Sequence, residues 1–142
     1  MVEGVIILKE MICTGAGIIG AGLAWLFGGW DAAFVALLIC IGIDYVTGSL
    51  LALVFHKSSK TASGAYNSAY GLKGLCKKCL MILFVAVGVQ VDRLLGADYV
   101  RDAICIGFSV NEILSITENL GHAGVPMPKA VKEALEQLHN HQ

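Results

Sequence analysis

Two short motifs contain the residue types that most often perform chemistry in proteins. Cys76–Cys79 has the C-x-x-C spacing of redox and zinc sites, but no second cysteine pair follows at zinc spacing and no thioredoxin-like pattern surrounds it. Gly15–Gly20 spells the G-x-G-x-x-G of dinucleotide-binding folds, but it lies inside a long apolar run instead of between a strand and a helix. We therefore expect neither motif to bind a cofactor.

The other potentially reactive side chains are scattered along the chain. His139 and His141 form a pair too small to hold a metal ion well. The carboxylates share no loop with a nucleophile or a general base. The sequence accordingly predicts a protein that is not an enzyme and that has no cofactor and no metal site.

The composition predicts a membrane protein. Of the 142 residues, 56% are hydrophobic and only 15% are charged, whereas soluble domains carry about 25% charged residues. Because so few charges cannot cover a water-exposed surface, we expect a lipid bilayer to cover part of the protein. The net charge of -1 gives no reason to expect nucleic acid as a partner.

Four apolar stretches predict an all-α protein with a single membrane domain over residues 1–142. The predicted spans are residues 5–27, 32–55, 72–95 and 103–120. A helix of about 23 residues is about 35 Å long, which is enough to cross about 30 Å of hydrocarbon. A polar connector occupies residues 56–71, and a polar tail with a short amphipathic helix occupies residues 121–142.

The fourth stretch carries many polar residues for a span. Its eight Ile, Leu, Val and Phe residues favour insertion by about 4 kcal/mol, while a mid-helix carboxylate such as Glu112 costs about 3 kcal/mol. Three spans therefore remain an alternative to four. At helical spacing the polar side chains share one face: Asn111, Glu112, Ser115, Glu118 and Asn119. This face could line an aqueous passage, seal an oligomer, or belong to an ordinary surface helix.

The first two stretches indicate close helix packing. Small residues recur on one face of the first stretch and in the second: Ala16, Gly17, Gly20, Ala21, Ala24 and Gly48. Small residues at four-residue spacing let helix backbones approach each other in lipid. The face of the first stretch could pack against the second helix of the same chain or against another subunit, and both alternatives predict a tight contact.

Asp44 lies deep in the second stretch. A carboxylate at that depth is expected to face protein or water and almost never lipid. It could accept hydrogen bonds from a neighbouring helix, or it could line a pore.

The lysines predict the orientation in the membrane. The connector and its approach to the third stretch contain five lysines and no acid: Lys57, Lys60, Lys73, Lys77 and Lys78. By the positive-inside rule the connector is cytoplasmic, and with four spans both termini are cytoplasmic as well. Lys77 and Lys78 belong to the third stretch, so we expect their side chains to extend back to the headgroups.

Three segments resemble motifs of a known family. Residues 43–48 read I-D-Y-V-T-G, residues 71–78 read G-L-K-G-L-C-K-K, and residues 111–128 contain N-E-I-L-S-I-T-E-N-L followed by G-V-P-M-P. Together they resemble the toxin-secretion and phage-lysis holin family over about residues 32–135. The connector is longer than is typical of the family, with residues 61–70 inserted.

The resemblance implies a function in the bacterial cytoplasmic membrane. Holins accumulate there as homo-oligomers and open lesions through which a cell-wall hydrolase, or in some relatives a protein toxin, leaves the cell. The polar groups Asp44, Asn111, Glu112, Ser115, Glu118 and Asn119 would then line the pore or join helices. A small membrane channel or transporter and a non-pore membrane scaffold are the alternatives.

Overall fold

A computed structural model describes residues 2–56 and 68–140, and within these ranges every regular element is an α-helix. The helices are α1 (Val2–Phe27), α2 (Ala32–Leu53), α3 (Ser68–Leu95), α4 (Val100–His122) and α5 (Lys129–Asn140). The predicted all-α class is thus confirmed. Three of the helices, α1, α2 and α3, are long and apolar enough to cross a membrane.

A tight turn joins α1 to α2. Gly28 and Gly29 end α1 with φ angles of 77° and 111°, a region that residues with a Cβ rarely adopt. Asp31 then begins α2, because its carboxylate accepts a hydrogen bond from the backbone N–H of Phe34 at 3.0 Å and satisfies a donor that the first helical turn leaves unpaired.

A second turn joins α3 to α4. Gly96 has a φ of 64°, and the carboxylate of Asp92 accepts hydrogen bonds from the backbone N–H groups of Val100 at 3.0 Å and Arg101 at 2.9 Å. The last turn of α3 therefore caps the first turn of α4.

The bundle consists of α2, α3 and α4. The Arg101 guanidinium lies over the Phe34 ring, 5.7 Å from its centroid, and further along both helices Asn119 lies beside Gly48. Thus α2 and α4 run in the same direction. On α3, Gly88 adjoins Arg101, whereas the earlier Lys78 adjoins the later Glu112, so α3 runs antiparallel to α4.

The apolar core lies at the end of the bundle where the two turns meet. Five buried residues form it: Phe27, Phe34, Leu37, Val85 and Cys105. Gly88 allows α3 and α4 to approach closely there, because a Cβ at this position would lie 2.7 Å from Cδ1 of Ile104 and 3.1 Å from Cα of Arg101. This contact fixes how the two helices align along their lengths.

The position of α4 bears on the number of spans. Its contacts with α2 extend from Arg101 to Asn119, which is about 27 Å of helix. A bilayer that α2 crosses therefore surrounds α4 at the same depths. α4 is compatible with a fourth span because part of its polar surface faces α2 and α3.

Most of α1 lies away from the bundle. Residues 2–14 are exposed, and a Cβ added at Gly17 or Gly20 would meet no atom within 4 Å. Within the predicted packing face, Ala16, Gly17 and Ala21 are exposed and only Gly20 and Ala24 are half-buried. Of the two alternatives, packing of this face against α2 of the same chain is therefore not seen among the described residues. Packing against another subunit stays a prediction.

Candidate functional site

A lysine and two carboxylates meet inside the bundle. The ammonium nitrogen of Lys78 on α3 lies 2.7 Å from Oδ2 of Asp44 on α2, and it also contacts the carboxylate of Glu112 on α4. The Lys78 side chain is 9% exposed and each carboxylate side chain 5%. One ammonium group therefore joins three helices.

An amide extends this arrangement along α4. Nδ2 of Asn119 donates to Oδ1 of Asp44 and to Oγ1 of Thr47, both at 3.2 Å. Gly48 leaves room for this amide, since a Cβ there would lie 3.5 Å from Nδ2. We call Asp44, Lys78, Glu112 and Asn119 the central cluster.

Helical periodicity places the α4 members of the central cluster together. Cys105, Glu112 and Asn119 recur at seven-residue intervals, so they share the face that packs on α2 and α3. All three are buried. Two residues of the predicted polar face, Glu112 and Asn119, thus lie on the packing face of α4, and their partners are helices of the same chain.

The charges of the central cluster do not balance formally, since two carboxylates face one ammonium group. In a low-dielectric interior, removal of one partner of a buried ion pair typically costs about 3–5 kcal/mol, because the remaining charge loses its compensation. Lys78 places its cation between Asp44 and Glu112. The arrangement can hold the three helices together and keep their polar groups away from lipid.

The expectation that Lys78 extends to the headgroups as part of a cytoplasmic basic connector is wrong. Its side chain is buried between α3 and the neighbouring α2 and α4, because carboxylates on those two helices lie close enough to compensate its charge. Lys73 and Lys77 also lie in α3, but their side chains are exposed. Lys57 and Lys60 lie outside the described residues.

The remaining polar residues of α4 are divided between two environments. Ser115 is half-buried, while Asn111 and Glu118 are exposed and do not join the central cluster. Asn111 instead lies with Lys77 at a groove between α3 and α4. The polar face of α4 is therefore broader than the surface that contacts α2 and α3.

A second polar cluster joins the two turns at the end of the bundle. The Arg101 side chain donates to the carbonyl oxygens of Phe27 at 3.0 Å and Gly29 at 3.1 Å, to Oδ1 of Asp102 at 2.8 Å, and to the carboxylate of Asp31. The hydrogen bond from Arg101 holds the pKa of Asp31 below its usual range. One arginine thus joins the α1–α2 turn to the start of α4.

The sequence reasoning missed Lys78 as the partner of Asp44 and Glu112. A signal was present, because ionisable residues inside a membrane usually pair with one another, and all three residues lie within predicted spans. The role of Arg101 was missed as well, because no local pattern predicts which carbonyl groups it reaches.

No group of three or more His, Cys, Asp or Glu side chains in the described ranges could hold a metal ion. Cys76 and Cys79 are free, exposed thiols.

Comparison with known proteins identifies the family to which this sequence is similar. The model of the bacteriophage holin family matches residues 21–140. An uncharacterized protein of Clostridium perfringens strain 13 is 38% identical over 140 residues, covering 97% of this chain and 96% of its own length. A protein of Bacillus phage phi105 described as a probable holin is 30% identical over 117 residues, covering 81% of this chain and 79% of its own. No solved structure matches.

Proposed function

Because the chain belongs to the bacteriophage holin family, we propose that it assembles in the bacterial cytoplasmic membrane and opens pores through which a cell-wall hydrolase or a protein toxin leaves the cytoplasm. The central cluster is the observation that supports this function best. Ionisable groups inside a membrane are costly, face protein or water, and commonly mark ion or substrate pathways.

In the closed subunit of this proposal, α2, α3 and α4 shield the central cluster from lipid. On opening, the helices separate and their polar faces turn toward water in the middle of an assembly. Asp44, Glu112 and Asn119 then line the pore next to Ser115, while the already exposed Asn111 and Glu118 face neighbouring subunits. Water replaces Lys78 as the group that stabilises the carboxylates, so separation does not leave charges uncompensated in lipid.

The topology of the proposal has four spans. The two turns joined by Arg101 lie on the outer side, and the connector, both termini and α5 lie in the cytoplasm. This orientation follows the positive-inside rule, since Lys73 lies near the connector end of α3. A non-enzymatic role agrees with the family membership.

The experiment that tests the function is release of cargo as a function of size. Vesicles loaded with a small dye and a folded protein of hydrolase size are mixed with the purified chain. We expect both cargoes to escape above a threshold of protein density. Release of the dye alone would favour a narrow channel or transporter, and sealed vesicles would favour a scaffold.

A variant of similar shape but without charge tests whether the central cluster lines the pore. Asp44→Asn with Lys78→Met and Glu112→Gln keeps the approximate shape of the central cluster but removes all its charges. We expect this variant to insert and fold, with release of the folded protein reduced about tenfold or more because a neutral lining stabilises water less well. Release equal to that of the original chain would exclude the central cluster from the pore wall.

A further inference from the structure

A groove between α3 and α4 lies on the outside of the bundle. Its volume is about 420 Å³, and its lining is mostly apolar, with Phe84 and Phe108 among the contributing residues. Ala103 and Gly107 leave room on the α4 side, and a Cβ added at Gly107 would meet no atom within 4 Å. We call this the α3–α4 groove.

Two charged residues mark the cytoplasmic part of the α3–α4 groove. Lys77 lines the groove from α3. Glu118 follows Asn111, another lining residue, by seven positions on α4, so it extends the same face. Both side chains are exposed, and neither forms an ion pair with any residue in the ranges 2–56 and 68–140.

The α1 helix carries the complementary pair of charges. Lys9 and Glu10 are exposed, also without an ion pair among the described residues, and they adjoin the small-residue face that contains Gly17 and Gly20. This helix is apolar along nearly its whole length, yet within its own chain only its C-terminal end is buried. A charge of each sign is thus available on α1 and on the rim of the groove.

The depths of these charges agree. Phe27 and Arg101 lie at one level, since the Arg101 side chain donates to the Phe27 carbonyl at 3.0 Å. Along the helix axes Glu10 is about 26 Å and Lys9 about 27 Å from this level. On the groove, Glu118 is about 26 Å from Arg101, and Lys77 is about 22 Å from Asp92, which caps α4.

The small residues agree in depth as well. Gly20 lies about 10 Å and Gly17 about 15 Å from the level of Phe27, while Gly107 lies about 9 Å and Asn111 about 15 Å from that of Arg101. When α1 crosses the bilayer parallel to the bundle, copies that share one orientation present these groups to each other without any vertical shift. Small residues on both surfaces then allow close backbone approach.

We propose that α1 of one chain docks in the α3–α4 groove of a neighbouring chain, with Glu10 paired to Lys77 and Lys9 paired to Glu118 across the contact. The inference rests on the proposed self-assembly and names the surfaces that carry it. Each chain gives one helix and receives one, so the contact is head-to-tail. Such contacts close into a ring when the rotation between subunits allows it, and a ring encloses a lumen.

A charge-swap experiment tests the contact. One chain carries Glu10→Lys and another carries Lys77→Glu, and assembly in vesicles is followed by energy transfer between labelled copies. Each variant alone opposes like charges at every contact, so we expect its association constant to fall about tenfold or more. In an equal mixture every α1 meets an opposite charge on the other variant, and we expect assembly to return to the original level.

Two control variants have matched charge changes away from the contact. Glu3→Lys changes an exposed acid about 10 Å further toward the N-terminus of α1, and Lys73→Glu changes an exposed lysine about 6 Å further toward the N-terminus of α3. Both are expected to assemble like the original chain. Gly107→Leu fills the groove from a position with open space, so it is expected to fold normally and to weaken assembly.

The outcomes separate the possible occupants of the groove. Normal assembly of each swapped variant alone would overturn the proposal and leave the groove to lipid acyl chains. Recovery in a chain that carries both substitutions, but not in the mixture of single variants, would place the contact within one chain and also overturn it. Cargo release by the original chain is measured in parallel. If cargo is released but the charge swaps do not change assembly, the contact between α1 and the groove is excluded while the pore-forming function stands. If the charge swaps change assembly but no cargo is released, the pore-forming function is excluded while the contact stands.

Discussion

Lys78 supplies a positive charge to the two carboxylates of the central cluster. Its immediate sequence neighbours do not indicate this role. Lys77 and Lys78 are adjacent and chemically identical, yet one is exposed and the other is buried against two carboxylates. The difference arises because a helix turns about 100° per residue, so neighbouring side chains face different surroundings. The two lysines therefore form a natural matched pair for substitution.

We expect Lys78→Met to destabilise the bundle by about 3–5 kcal/mol, because Asp44 and Glu112 would remain buried without their cation. Lys77→Met is the control and is expected to change stability by no more than about 0.5 kcal/mol. Denaturation in detergent, followed by helical circular dichroism, measures both. Adding Asp44→Asn and Glu112→Gln to Lys78→Met should restore much of the loss. Equal stability of the two single variants would contradict the central role of Lys78.

At the scale of elements, neighbouring helices fix the position of α4 and accept the hydrogen bonds of its first turn. Asp92 is buried and accepts two backbone hydrogen bonds from the start of α4. Arg101, at that start, reaches the end of α1 and the cap of α2. α4 is therefore aligned by contacts from three other helices.

Asp92→Ala removes this cap and is expected to destabilise the protein by about 1–2 kcal/mol, since the N–H groups of Val100 and Arg101 lose their acceptor. Asp98→Ala changes an exposed acid in the same turn and serves as the control, with little expected effect. Thermal unfolding in detergent provides the measurement. If the two alanine variants unfold at the same temperature, the cap contributes nothing and α4 is held by other contacts.

At the scale of the whole molecule, the parallel course of α2 and α4 makes three and four spans distinguishable. In the proposed orientation, four spans place α5 and both termini on the cytoplasmic side. With three, α4 does not cross and α5 lies on the outer side with the α3–α4 turn. The side on which α5 lies therefore reports the number of spans.

Cysteine labelling measures this directly. In a variant without native cysteines, we expect Asp98→Cys to react with an impermeant thiol reagent in intact cells. Glu133→Cys on α5 is expected to react only after the membrane is opened, because four spans return the chain to the cytoplasm. Reaction of both positions in intact cells would contradict the four-span topology and also the packing of α4 along α2 over about 27 Å.

The sequence alone determined the features that depend on local composition and on the helical periodicity of side chains. The long apolar runs predicted the membrane helices, and the gap between the predicted spans 5–27 and 32–55 lies where α1 ends and α2 begins. The family resemblance followed from segments such as residues 111–120, which the match over residues 21–140 confirmed. These features are readable because each depends on residues that are close in the chain.

Only the tertiary structure decided which groups meet. The pairing of Lys78 with Asp44 and Glu112 joins residues 34 positions apart in both directions, and the bond from Asn119 to Asp44 spans 75 positions. Hydrophobic periodicity shows which face of a helix is polar, but not whether that face meets water, another subunit or the same chain. That choice depends on how the helices align, which Gly88, Asp92 and Arg101 set through contacts between distant segments.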